Sequence, residues 1–412
     1  MSHGQDPSML RPWAIPPVLA WGFAALCAAL AAAYMGRTFM GNLAPKDFSY
    51  FWIAGQIWLE GGNPYLSSFS DIGNDLAATT PGMEGLGGFH RWLYAPHIWG
   101  LSTGIGIMDY TPARILWGVG STIAILWGTY LGLAAVQRPD EPTFWVGYGA
   151  LSLLAAVTIG TATSISTGQL SPLIYTAAAA FAYGVLRSRG WVVGIALIVL
   201  TLKPSFALPF VAFALAARPL RLPTLNAAGI ALVLSLPVFL STPLSELVAG
   251  YLDGLGAYGT YGANIPPSLT GATNLLHAGL RLELSGLVYG GLAGLVGVAL
   301  GLLAGQGDVR ARLAVLLAAT LLLVPLHLYD LTLLVLLVPL MSGVIWKVAA
   351  VLANLAMLRV NRISDIIGMT DTASGFPGSF LASLILLLVL IGALMYWGFS
   401  RRADPNGKAQ AR

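Results

Sequence analysis

From Pro12 to Met35 the chain carries no charged side chain. A run of that length, wound as a helix, crosses a hydrocarbon layer about 30 Å thick. Its Ala-rich end at Ala31–Ala33 imitates an export-signal cleavage site. The apolar part of a signal is only about 7–15 residues long, so the run reads as a retained first helix. Further apolar runs follow at 93–108, 112–134, 143–162, 170–186, 190–217, 224–241, 285–304, 311–346 and 376–399. Two of them, 190–217 and 311–346, exceed the roughly 20 residues of a single crossing. Each is interrupted by polar residues, Lys203-Pro204 in the first and His327-Leu328-Tyr329-Asp330 in the second. The expectation is an all-α polytopic membrane protein of about 10–12 crossings, formed as one domain over residues 1–412.

Composition agrees: the chain is 57% hydrophobic and 9% charged, against about 25% charged in a soluble domain. The only cysteine, Cys27, lies in the first run, which excludes a disulfide within the chain and a Cys-based metal site. No HExxH and no paired DxD carboxylates occur, so no metal and no cofactor is expected. A net charge of +4, spread over short loops and the tail, speaks for topology and contact with lipid rather than for nucleic acid.

The arginine pairs 187/189, 218/221, 310/312 and 401/402 are expected on the cytoplasmic side. The run 190–217 then goes out and back about Lys203-Pro204. Arg114 and Arg138 fit this scheme less well, which leaves the parity of crossings open. Two loops exceed about 15 residues, the length beyond which a loop is usually functional or disordered. The first, 36–92, is expected to hold an interfacial helix from Tyr50 to Glu60. In the second, 242–284, Pro243 to Tyr258 suits the membrane surface.

Chemistry-bearing residues collect at breaks and loop ends. Asp47 stands beside Phe48, Tyr50, Phe51 and Trp52 at the start of the polar segment 46–65. It is either a general base or the N-cap of a helix starting at Phe48. Phe51, Trp52 and Trp58 suit an interfacial aromatic belt or sugar stacking. Gly61-Gly62-Asn63-Pro64-Tyr65 is turn chemistry. Arg91, after His90, is either a phosphate ligand or an anchor to headgroups. Lys203, inside an apolar run, either binds an anion or snorkels to the interface. His327, Tyr329 and Asp330 either face the bundle interior as a site or form a structural pair that ends a helix.

Taken in order, the Asp47 loop, Gly62-Asn63-Pro64-Tyr65, Tyr94-Ala95-Pro96, Gly168-Gln169, Lys203-Pro204 and Tyr329-Asp330 resemble the GT-C membrane glycosyltransferases, family 87 among them. Ala95 departs from the family's Tyr-Pro-Pro. The resemblance implies a GT-C-type bundle with interfacial helices in its external loops. It implies an inverting transfer of a hexose, mannose in this family, from a polyprenyl-phosphate carrier to a glycolipid or glycan acceptor. The place would be the periplasmic face of a bacterial inner membrane. Asp47 would be the base. Lys203, His327, Arg91, Gln169, Tyr329 and Asp330 would hold donor phosphate or sugar, with Asn63, Tyr65 and Tyr94 positioning the loop. A transporter or lipid flippase using Lys203, His327 and Asp330 is the main rival, and a non-catalytic envelope scaffold the second.

Overall fold

The computed structural model describes residues 15–41, 45–260, 264–303, 307–366 and 378–403. Residues 12–14 of the expected first helix lie outside them. All regular structure described is helical, apart from a lone antiparallel bridge between Thr270 and Leu326.

Among the described residues the chain passes back and forth through a helical bundle. α1 (Pro17–Met40) leads outward to an excursion holding α2 (Lys46–Leu59), α3 (Phe69–Thr79) and α4 (Trp99–Gly106), from which α5 (Tyr110–Ala134) returns. α6 (Pro142–Val157) and α7 (Ile159–Thr167), bent by 62°, go out and α8 (Ser171–Leu186) comes back. α9 (Gly190–Leu200) and α10 (Pro204–Ala216) go out and back about Lys203, and α11 (Arg221–Ser241) goes out again. A second excursion carries α12 (Leu244–Thr260) and α13 (Ala272–Leu280) before α14 (Gly286–Leu302) returns. α15 (Val309–Leu323) goes out; the 3-10 stretch Leu328–Leu336 and α16 (Leu337–Leu340) come back. α17 (Val344–Met357) and α18 (Val360–Ile366), bent by 75°, and α19 (Ser379–Ala403) complete the bundle.

Arginines identify one end. The last carbonyls of a helix lack partners within it and attract positive charge. Arg187 donates to Ala134 O at 2.9 and 2.7 Å and to Gln137 O at 2.7 Å, closing α5. Arg221 donates to Leu215 O (2.9 Å) in α10, and Arg312 to Leu300 O (3.2 Å) in α14. Arg310 donates to the carbonyls of Pro339, Leu340 and Met341 at 3.1, 3.0 and 2.8 Å, closing α16. Gly190 packs on Pro223, and Gly301 on Ala216, which joins these loops into one basic end. Arg138 follows Gln137 and so belongs there as well. Arg114 belongs to the opposite end, buried with its guanidinium 5.9 Å from the Phe39 ring. Arg114 and Arg138 thus lie at opposite ends of α5.

Among the described residues, four helices (17–40, 110–134, 218–241 and 379–400) are long and apolar enough to span alone, or up to six spans if each bent pair counts as one. The other runs are shorter. α9, with 11 residues, rises only about 16 Å, roughly half of a hydrocarbon core. The turn carrying Lys203 therefore sits below the bundle surface.

The first excursion corrects an expectation. Its helix begins at Lys46, not Tyr50, and is buried rather than interfacial, with Phe51, Trp52 and Trp58 in the core. Gly55 meets Ser102 and Gly106 of α4 so closely that a side chain on either glycine would separate the helices. Trp52 Nε1 donates to Met108 O (2.9 Å) and Gln56 Nε2 to Gly106 O (2.6 Å). Phe51 stacks on Trp117 at 5.0 Å and packs on Tyr94 at 4.6 Å. The excursion folds over α2 and covers it, so its aromatics become core. α12 does retain a surface character: Leu244, Val248, Leu252 and Leu255 form an exposed apolar stripe.

Candidate active site

Asp47 lies in the first turn of α2, where the positive end of the helix favours a carboxylate. It is not the cap. Pro45 occupies that position, and no side chain caps the helix. The Asp47 carboxylate instead faces Gln169 and Thr167, on the turn between α7 and α8. Gly168 makes this approach possible. It closes α7 in the left-handed region (φ 75°), and a Cβ there would lie 2.5 Å from Phe48 Cβ. Burial pushes the Asp47 carboxyl above its ordinary range. Hydrogen bonds from Gln169 and Thr167, then the charges of Lys46 and Lys203, pull it partly back.

Lys203 immediately precedes α10, whose first residue is Pro204. Its Nζ lies 2.5 Å from Asp330 Oδ1 and 5.1 Å from the centre of the Tyr329 ring. Asp330 is 1% exposed, and the lysine side chain 20%. The lysine thus turns into the bundle and does not snorkel. Ser171 Oγ donates to the same Oδ1 (2.8 Å), while Oδ2 accepts the His327 N–H at 3.3 Å. Asp330 N returns a bond to His327 O (3.0 Å). A His327–Asp330 pair therefore exists through the backbone, but it starts the 3-10 stretch Leu328–Leu336 rather than ending a helix, while the other carboxylate oxygen reaches across the bundle. His327 stacks on Tyr329 (4.9 Å), and its Nε2 is 3.1 Å from Asn264 Oδ1.

Asn63, Tyr65 and Tyr94 act together in the first excursion. Asn63 Oδ1 accepts the Tyr65 N–H at 3.0 Å, and buried Tyr65 donates from its hydroxyl to Tyr94 O at 2.6 Å. Arg91 pairs with Asp253 of α12 (2.8 Å), so its guanidinium is engaged away from the Lys203–Asp330 pair. Lys46, next to Asp47, donates to Gly88 O (3.0 Å) and ties down the glycine-rich stretch from Gly82 to Gly88.

Three residues of this region carried no role in the sequence reading. Ser171 lies two positions after Gln169, close enough to have been included with it. Asn264 opens Asn264-Ile265-Pro266-Pro267 in the second long loop. His97, after Tyr94-Ala95-Pro96, places Nε2 at 3.0 Å from Ile198 O and 3.3 Å from Thr201 Oγ1, at the end of α9 leading into Lys203.

Asp47, the Thr167–Ser171 turn, Lys203 and the His327–Asp330 step thus converge from four parts of the chain. The arrangement offers a buried carboxylate able to take a proton and a cation held nearby. Its ionisable groups gather at one end of the bundle and, among the described residues, form no relay through it. Comparison with known proteins gives the class. No curated protein and no solved structure matches the chain. The family model of glycosyltransferase family 87 matches residues 92–325, more than half of its length. That span includes Gln169, Ser171 and Lys203, with Asp47 before it and His327–Asp330 after it. The chain belongs to glycosyltransferase family 87.

Proposed function

We propose that this multi-pass glycosyltransferase moves a hexose, mannose in the first instance, from a polyprenyl-phosphate carrier to a glycolipid or glycan acceptor of the cell envelope. The basic end faces the cytoplasm by the positive-inside rule, which puts the site on the external, periplasmic side of an inner membrane. The observation that carries this reading is the Asp47 carboxylate, held by Gln169 and Thr167 within reach of the charge on Lys203.

Asp47 takes the proton of the acceptor hydroxyl as that oxygen attacks the anomeric carbon. The bond from that carbon to the phosphate oxygen breaks, and its electron pair leaves with the polyprenyl phosphate. Attack from the face opposite the phosphate inverts the anomeric centre. Lys203 lies where it can compensate the growing negative charge, with Tyr329 beside it and His327 stacked on that ring. For Arg91 to meet the donor phosphate, its pair with Asp253 would have to open. While paired, it anchors the first excursion to α12.

The test is transfer from radiolabelled polyprenyl-phosphate mannose by the purified chain, with Asp47→Asn alongside. Asparagine keeps the size and hydrogen-bonding capacity and loses only the base, which typically costs about 10²–10⁴-fold in rate. A variant that keeps more than about a tenth of wild-type turnover sinks the assignment of Asp47, and the base is then sought at Asp330. Labelled product from another polyprenyl-phosphate sugar in preference to mannose would correct the donor.

A further inference from the structure

From Pro142 to Ser245 the chain has no Asp and no Glu but five basic residues, Arg187, Arg189, Lys203, Arg218 and Arg221. Lys203 is matched by Asp330. The four arginines sit at the opposite, basic end, in the α8–α9 and α10–α11 loops. The starts of α9 and α11 touch, since a Cβ on Gly190 would lie 2.9 Å from Pro223 Cγ. Arg187 and Arg221 are committed to helix carbonyls. Arg189 and Arg218 are exposed and make no ion pair or side-chain hydrogen bond among the described residues. Asp308 accepts from Arg310 N and Tyr396 Oη, and no acidic residue pairs with Arg189 or Arg218 among the described residues.

Apolar side chains frame this pair. Trp191, two residues after Arg189, is 69% exposed, and Leu222 and Leu225 at the start of α11 are exposed as well. Two guanidinium groups unpaired among the described residues, beside an outward indole, match a phosphate at the level where headgroups meet acyl chains: arginine pairs with phosphate through two parallel N–H donors, and indoles favour that interface.

We propose that Arg189 and Arg218, with Trp191, form a binding site for the phosphate of an anionic phospholipid, separate from the donor site at the other end of the bundle. The lipid's phosphate bridges the two loops that flank α9, and its chains lie along Trp191, Leu222 and Leu225.

The test titrates phosphatidylglycerol into the full-length protein in a neutral detergent, following thermal stability, with phosphatidylcholine and inorganic phosphate as separate arms. Phosphatidylglycerol is expected to raise the melting temperature saturably, and the other two to raise it little. Each arginine removed as Arg189→Gln or Arg218→Gln should weaken the apparent affinity roughly fivefold, and the double variant more than tenfold. Trp191→Leu should weaken it without changing the charge. Basal transfer should persist in every variant. A double variant that titrates like wild type overturns the site. An equal response to inorganic phosphate makes it a site for free anions and overturns the lipid assignment. An equal response to phosphatidylcholine removes the role of the negative charge.

Discussion

Lys203 Nζ and Asp330 Oδ1 stand 2.5 Å apart across 127 positions of sequence, joining the turn between α9 and α10 to the first turn of the 3-10 stretch Leu328–Leu336. Removing one partner of a buried pair leaves the other uncompensated, at a cost of about 3–5 kcal/mol. Lys203→Ala therefore has two effects, on stability and on transfer. The double variant Lys203→Ala/Asp330→Asn is expected to recover most of the lost melting temperature and none of the lost transfer. A double variant as unstable as the single would show that the pair is not what Lys203→Ala breaks. Recovery of transfer along with stability would reduce Lys203 to a structural role.

The raised pKa of Asp47 gives a pH signature opposite in sign to that of an ordinary salt-bridged carboxylate. Burial makes the folded state hold the proton more tightly than the unfolded chain does. The stabilising contribution is therefore present below the ordinary carboxylate value and is lost as pH rises through the raised one. Asp47→Asn, which never ionises, should melt above wild type at pH 7, with the gap closing towards about pH 4, near the ordinary carboxylate value. Wild-type transfer should fall on acidification with a midpoint above the ordinary carboxylate range. Equal melting temperatures at pH 7 would mean that Asp47 ionises without cost.

Gly168 touches no reacting group in the proposed mechanism, yet it sets the distance between Asp47 and Gln169. Alanine there has to adopt φ 75° and place its Cβ 2.5 Å from Phe48 Cβ. Left-handed strain and overpacking together cost about 2–4 kcal/mol. Transfer should fall more steeply than donor affinity, because α2 and its carboxylate move as a unit. Normal stability together with normal kinetics in Gly168→Ala would contradict the close packing of α2 on this turn.

Much of this was legible in the sequence, for identifiable reasons. Lys203 stands out because a cation within an apolar run requires a partner, but nothing local says that the partner is Asp330. Gly168 reads as a helix-ending turn. That it lies against Phe48 depends on how the first excursion folds back. Trp52 and Trp58 were misplaced because an aromatic helix beneath α4 and one on a bilayer share a composition, and only the cover differs. Arg114 and Arg138 look alike in sequence. Tertiary contacts alone put Arg138 beside the α5 carbonyls bound by Arg187, and Arg114 over Phe39 at the other end.

The two ends of the bundle can be told apart chemically. Ser67, in the first excursion, and Ser188, between α8 and α9, are both exposed and belong to opposite ends. Cys27, the only native thiol, is buried in α1, so Cys27→Ala gives a clean background at small cost in packing. Single Ser67→Cys and Ser188→Cys variants in that background, treated with an impermeant maleimide on intact spheroplasts, should differ. Cysteine at 67 should react, and cysteine at 188 only after permeabilisation. The positive-inside assignment rests on Arg187, Arg221 and Arg310 being retained on the cytoplasmic side although their guanidiniums are bound to helix carbonyls. Labelling at 188 and not at 67 would invert the protein in the membrane. The site would then face the cytoplasm, and a carrier-linked donor presented on the external side could not reach Asp47.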